Sequence, residues 1–171
     1  KSKEIFYSIN DYLSSLKLVM NFHLNDYNNI FRFSQLTQKT NQFNLSTKRY
    51  SEIEIKNMIE SNNFIIFSFS LSDKFGNYGI TGLSIVHIKK ILAYIDTFLL
   101  SCRVIGRNVE FVFFDYIIKF LKKVKIKKIK SNFVPTKKNM QVINFYENLN
   151  FTLVKNNKKK DYIFNINEYK I

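Results

Sequence analysis

The stretch Leu99-Leu100-Ser101-Cys102-Arg103-Val104-Ile105-Gly106-Arg107-Asn108-Val109-Glu110 decides the fold. An apolar run ends, a short loop carries a glycine between two arginines, and a helical pattern starts. A strand-to-helix turn of this kind leaves the first backbone N–H groups of the helix without intrahelical partners, an arrangement suited to a phosphate. Gly106 permits a positive φ or a close backbone approach, and Arg103 and Arg107 bring charge for phosphoryl oxygens. The loop fits neither G-x-x-x-x-G-K-S/T nor G-x-G-x-x-G, so P-loop and dinucleotide sites are not supported. An ordinary strand-to-helix turn is the alternative.

Outward from this loop the pattern predicts a single mixed domain. Upstream, Phe64–Leu71, Gly79–Ile88 and Ile91–Leu100 read as three strands of a meander. Before them come a strand at Lys17–Leu24, a helix capped by Asp26 with Ile30, Phe31, Phe33 and Leu36 on one face, and a polar stretch from Thr37 to Asn44. Ser51 with Glu54 three residues on is a capping box that opens a short helix to about Ser61. Downstream, Val109–Lys123 is a helix with Val112, Tyr116, Ile117 and Phe120 inward. Ile126–Val134 is a strand and Lys137–Asn148 a helix. Phe151–Val154 and Tyr162–Ile166 close the chain as a hairpin across Lys155–Asp161. A meander followed by a βαβ-like crossover indicates an α+β fold with a mixed central sheet of about six to seven strands. Residues 1–16, with Ile5, Ile9, Leu13 and Leu16 at helical spacing, form a leading helix or interdomain linker, and 17–171 the domain.

Composition narrows the classes. In 171 residues, 46% are hydrophobic and 16% aromatic, enough for one packed core and against wholesale disorder. The apolar runs are far short of the roughly 18 residues of a membrane span. One Cys and two His exclude a disulfide framework and leave no metal constellation. His23 and His87 sit among apolar neighbours and read as structural. No signal-peptide h-region is visible, and the reading is a cytoplasmic fragment. The net charge of +14 creates a field that favours an anionic partner. Only four basic residues are arginine (Arg32, Arg49, Arg103 and Arg107), and abundant Asn, Ile, Phe and Tyr fit a low-GC coding bias. The charge is therefore read as lysine background rather than as a nucleic-acid interface.

A second stretch, Asn139-Met140-Gln141-Val142-Ile143-Asn144-Phe145-Tyr146-Glu147-Asn148-Leu149-Asn150-Phe151, places Val142, Phe145 and Leu149 on one helical face. Together the two stretches resemble the GNAT acyltransferase superfamily. Its signature is Arg/Gln-x-x-Gly-x-Gly/Ala, and Arg103, Gly106 and Asn108 occupy its three positions, the last with asparagine in place of Gly/Ala. Its later motif, N-x-x-A-x-x-L/F-Y-x-x-x-G-F, is matched in spacing at Asn139, Val142, Phe145, Tyr146, Asn150 and Phe151. Two glycine positions hold asparagine, the non-glycine residue that best tolerates left-handed φ. The resemblance implies the GNAT fold with flanking helices and a coenzyme A site built from Leu99, Leu100, Arg103, Val104, Ile105, Gly106, Arg107, Asn108 and Asn139.

A narrower resemblance rests on Tyr12–Leu16, Gln35–Leu45, Asp96–Arg107 and Pro135–Asn139. These are similar to the C-terminal acyltransferase-like domain of FkbH-like, HAD-IIIC family proteins. The family resemblance implies transfer of a glyceryl-type acyl unit to or from the phosphopantetheine thiol of an acyl carrier protein. It also implies an N-terminal phosphatase-like partner domain. No D-x-D-x-T/V motif occurs in this chain, so the expectation is the C-terminal half alone. The rival readings are a coenzyme A-dependent N-acetyltransferase of the same fold and a degenerate module that binds a carrier protein without chemistry.

Roles follow with their plainer alternatives. Arg103 and the Gly106 loop are expected to grip a pyrophosphate or a single pantetheine phosphate. Tyr146 matches the position whose hydroxyl protonates a leaving thiolate; otherwise it packs at the core rim. Cys102, the lone thiol beside Arg103, is either a covalent acyl nucleophile or a small buried hydrophobe. Asp96, six residues before it, would point the same way on an ideal strand and could act as base or hold an acceptor hydroxyl. Gln38, Thr40, Asn41, Gln42 and Asn44 suit a polyol substrate or form a solvated loop. The lysines from Lys119 to Lys130 offer steering for an acidic carrier or are solvated background.

Overall fold

The computed structural model describes residues 17–169; the expected leading helix at 1–16 lies outside them. β1 (Val19–Leu24) precedes α1 (Ile30–Lys39), whose Phe33 and Leu36 are buried. β2 is the two-residue strand Phe43–Asn44. α2 (Glu52–Glu60) opens on the expected capping box: the Ser51 hydroxyl accepts from the Glu54 N–H, and the Glu54 carboxylate accepts from the Ser51 N–H. The meander is β3 (Phe64–Asp73), β4 (Gly76–Lys89) and β5 (Leu92–Leu100). α3 (Val109–Lys123) crosses over to β6 (Lys128–Phe133). A short α4 (Phe145–Asn148) leads to β7 (Thr152–Asn156) and β8 (Lys160–Asn165).

The strands form one mixed sheet in the order β1-β3-β4-β5-β6-β8-β7, with β2 paired to β5 off this path. Only β5 and β6 are parallel, as the α3 crossover requires. The meander strands supply side chains to two clusters. One gathers Phe67, Phe69, Ile95 and Phe98 with Phe113, Phe114 and Ile117 of α3. The other gathers Ile66, Leu83, Ile85 and Leu99 with Phe33 and Ile55 of α1 and α2. Gly82 faces Phe69 across β3 and β4, and the aromatic ring fills the space a side chain would need.

Three local features differ from the sequence expectation. On α3 the buried residues are Val109, Phe113, Phe114, Ile117, Ile118 and Leu121, while Val112 is 51% exposed. The buried stripe is rotated towards Phe114 and Ile118, and Tyr116 flanks it by stacking on Phe22. The helix expected at Lys137–Asn148 is only a 3-10 turn at Met140–Val142 followed by α4. Asn139 and Asn144 precede these pieces without side-chain caps, and asparagine is a poor residue for helix interiors. In β5, Ile85 pairs with Thr97 and Val86 with Ile95, so Asp96 is the extra residue of a β-bulge.

The edge of β5 that faces β6 positions the site. The parallel β5–β6 ladder ends at Ile95 and Ser131. Beyond it β2 takes over that edge of β5, pairing Phe43 with Leu100 and Asn44 with Leu99. The Leu45 N–H donates to the Phe98 carbonyl, and the Leu45 carbonyl accepts from the Val134 N–H just past β6. Residues 43–45 thus form a strap that bridges the diverging ends of β5 and β6.

Candidate functional site

The strand-to-helix loop has the backbone its sequence predicts. Gly106 has φ 83° and Asn108 φ 58°, and Asn150 in the second motif has φ 61°. Both asparagines therefore hold the left-handed conformation. Cys102–Val104 forms a 3-10 turn with Val104 buried, and Ile105 packs against the core. Asn108 precedes α3 without donating or accepting a side-chain cap. Glu110 in the first turn sits against its own N–H, and burial raises its carboxyl above the usual range.

The two arginines of the loop have separate fates. Arg107 donates to the Asp73 carboxylate at 2.8 Å and to the Tyr78 hydroxyl at 3.2 Å, with its guanidinium 4.7 Å from the Tyr78 ring centroid. The Asp73 side chain is fully buried. Arg107 is therefore committed to a fold contact, which accounts for its charge without a phosphate. Arg103 is exposed and has no hydrogen-bond or ion-pair partner among the described residues.

Arg103 borders a basic pocket of about 720 Å³ between α1 and the loops after β5 and β6. Its cations are Arg32, Lys39, Arg103, Lys137 and Lys138, no carboxylate lines it, and Cys102 lies in its wall. The thiol is exposed. Burial and then the charge of Arg103 lower the Arg32 guanidinium from its ordinary value, a sign of two cations held close without compensation. Thr40, Asn41 and Gln42 also border this pocket.

Several polar groups expected at a ligand are used by the chain. Asn44 is fully buried, donates to the Thr40 carbonyl and accepts from the Thr47 N–H. Asn41 accepts from Arg49, and Gln38 donates to the Tyr50 carbonyl. Asn139, also fully buried, accepts from the Thr136 N–H at 2.7 Å and donates to the carbonyls of Asn44 and Val134, both at 2.9 Å. It ties the strap to the loop after β6. Leu99 and Leu100 are buried, and their pairing edge holds β2. The structure thus gives Leu99, Leu100 and Asn139 structural partners at the atoms expected to meet a cofactor.

Asp96 and Cys102 do not come together, contrary to the strand-parity expectation. The bulge at Asp96 and the turn at Cys102 break the alternation, and Asp96 faces a central pocket of about 580 Å³ instead. There its carboxylate pairs with Lys48 and accepts from the Tyr50 hydroxyl at 2.6 Å. Burial, and then this hydrogen bond, raise the Tyr50 phenol. Tyr146 is 1% exposed and packed against Phe151 and Tyr162, so burial raises its phenol, while contact with Ser131 opposes the shift. Ser131 in turn borders the central pocket.

His87, read from the sequence as structural, also lines the central pocket. Cross-strand register puts Phe64, His87, Tyr94, Lys130 and Ile163 in one row across five strands. Sequence reasoning missed this row because its members are far apart in the chain; the available signal was an imidazole and a phenol at equivalent distances from the 89–92 turn. Among the described residues no group of three or more His, Cys, Asp and Glu could hold a metal ion. No helix among them is long and apolar enough to cross a membrane.

No protein-family profile matches the sequence, and no curated protein matches it. Solved structures do match the fold. The PaiA N-acetyltransferase of Thermoplasma acidophilum, in complex with coenzyme A, superposes with a TM-score of 0.69 at 12% identity, over 86% of this chain and 99% of that one. Arabidopsis thaliana NAA60, in complex with acetyl-CoA, gives 0.67 at 12% identity over 87% and 99%. A GNAT-family acetyltransferase of Staphylococcus aureus gives 0.65 at 10% identity over 86% and 99%. These likenesses, with the observed strand order, show that the chain has the fold of the GNAT acetyltransferases.

Proposed function

We propose that this domain is an acyltransferase that takes its acyl group from a thioester donor bearing phosphate. The observation that carries the reading is the basic pocket, where five cations and an exposed thiol meet with no carboxylate among the lining residues. Cations gathered without compensation repel one another, and an anion relieves that repulsion. Arg103 is the residue free to grip a phosphate, and a guanidinium suits its oxygens. Coenzyme A, named in two of the structures that share the fold, carries such phosphates. A carrier-bound phosphopantetheine arm carries one, and a glyceryl unit on such an arm is the finer reading that the FkbH-like resemblance implies. An acyl carrier protein and a phosphatase-like domain belong to that finer reading.

Leu99 and Leu100 are already paired, so a pantetheine arm entering the resting structure lies in the basic pocket rather than along β5. Cys102 would receive the acyl group there: its thiol gives up a proton, the thiolate attacks the thioester carbonyl, an S–C bond to Cys102 forms as the donor's C–S bond breaks, and the departing donor thiolate takes up that proton. Asp96 would hold an acceptor on the central-pocket side, and the thiolate-protonating role that the GNAT resemblance implies for Tyr146 belongs to the same reading.

The test is calorimetry with coenzyme A and with holo carrier protein in parallel, on wild type and Arg103→Ala. Loss of one charge-assisted contact should weaken donor binding about 10- to 100-fold. Unchanged affinity refutes the phosphate assignment. Incubation with an activated acyl donor should leave an adduct on Cys102 by mass spectrometry, and its absence removes the covalent step. The strap across β5 and β6 favours a second reading, a carrier-binding module without chemistry. That reading predicts binding of holo carrier protein with neither adduct nor turnover.

A further inference from the structure

We infer that the central pocket is a binding site for a small carboxylate-bearing amine with an apolar body. That this ligand is the acyl acceptor rests on the proposed function; its binding does not. The cavity of about 580 Å³ has an apolar part of its lining that includes Ile95, Val154 and Ile163. Across it runs the row Phe64–His87–Tyr94, with ring centroids 4.6 Å and 6.1 Å apart and planes inclined by 22° and 29°. The two neighbours cover the faces of the imidazole and leave its edge, where the nitrogens are. Neither nitrogen has a hydrogen-bond partner among the described residues. A neutral imidazole accepts a hydrogen bond from an amine, and the stack fixes its direction.

The charges in the pocket select the other end of the ligand. Asp96 is neutralised by Lys48, and Asp161 by Lys159 at 3.1 Å. Lys130, 5.8 Å from the Tyr94 ring centroid, and Lys155 line the pocket without an ion pair among the described residues. Two uncompensated ammonium groups at the rim, above apolar walls, call for an anion joined to an apolar group. A polycation or a basic peptide meets net repulsion there.

Three probes sharing one ring separate these contributions by calorimetry on the wild-type domain: L-phenylalanine, 3-phenylpropionate and phenethylamine. The expected order of affinity is L-phenylalanine, then 3-phenylpropionate, then phenethylamine, with at least about tenfold between the first and last. The double variant Lys130→Met, Lys155→Met should weaken 3-phenylpropionate at least about fivefold. His87→Phe keeps the stack, and should bring L-phenylalanine down to the affinity of 3-phenylpropionate. The inference is overturned if phenethylamine binds as tightly as 3-phenylpropionate, or if the double variant binds all probes as wild type does. A probe that binds in this order yet is never acylated would retain the site and refute the acyltransferase reading alone.

Discussion

Replacing Asn139 with alanine separates a fold residue from a ligand residue. In the structure its side chain makes three hydrogen bonds, to the Thr136 N–H and to the carbonyls of Asn44 and Val134. At about 1 kcal/mol net each they contribute about 3 kcal/mol, with a further increment because the buried Asn44 carbonyl has no water to replace its donor. With a denaturant slope of about 2 kcal/mol per molar, the urea midpoint should fall by about 1.5 M at constant slope. The chain has no Trp, so far-UV circular dichroism is the suitable probe. Asn139→Asp should not rescue it. The carboxylate keeps the Thr136 contact but cannot donate to either carbonyl, and it buries a charge. The decisive comparison is with coenzyme A or carrier binding. A midpoint within about 0.3 M of wild type together with lost donor affinity would refute the assignment and return Asn139 to the ligand.

Gly82→Ala should destabilise the domain by about 1–3 kcal/mol, because the added Cβ would stand 1.9 Å from the Phe69 ring, itself clamped against Phe22 and Phe113; an unchanged melting temperature would show that the ring yields freely. Acid stability should depend on Asp73. Burial raises its carboxyl, but the Tyr78 hydroxyl, the Phe75 N–H and Arg107 together outweigh burial and hold it below the usual carboxylate range. A depressed carboxyl stabilises the fold above its unfolded value of about 3.9, and that contribution disappears as pH falls through the lower folded value. Arg107→Ala removes one of the opposing groups, so its acid unfolding should begin at higher pH than in wild type; superimposable acid limbs in a dichroism titration would contradict this.

Local chemistry was legible, and register was not. The capping box at Ser51 and Glu54 depends on a few neighbouring residues, so sequence spacing specified it; the left-handed asparagines at 108 and 150 were legible only through the glycine positions of the GNAT pattern they resemble. The three-strand meander, the crossover helix and the closing hairpin followed from alternation and element lengths. The strap at 43–45 was hidden because a two-residue strand has no periodicity. It sits in a polar stretch whose side chains suggested a ligand. Asp96 could not be placed because its direction depends on a bulge, set by pairing with β4 and not by β5 itself. Arg103 and Arg107 look alike in the sequence. Their difference arises from Asp73 and Tyr78, about thirty positions away in the chain, which neutralise one and leave the other facing the pocket.

The strap also sets the order in which the two pockets can communicate. Thr40, Asn41 and Gln42 on its near side border the basic pocket, and Lys48 on its far side reaches Asp96 in the central one. Phe43 and Leu45 are 2% and 0% exposed. Withdrawing them uncovers about 2 kcal/mol of apolar burial each, and releasing the one bond Asn139 makes to the Asn44 carbonyl and the two made by Leu45 adds about 1 kcal/mol apiece. An opening cost of roughly 7 kcal/mol leaves the strap closed in all but about one molecule in a hundred thousand. Spontaneous opening is therefore too rare to join the pockets. A donor arm that took over the Leu99 and Leu100 pairing edge would replace the hydrogen bonds β2 gives up, and so offset part of that cost. On the proposed function, acyl transfer to a ligand in the central pocket would then require the donor to bind first and displace the strap. On the same reading, a donor confined to the basic pocket would meet Cys102 alone, so adduct formation there and transfer to the central pocket would be separable steps.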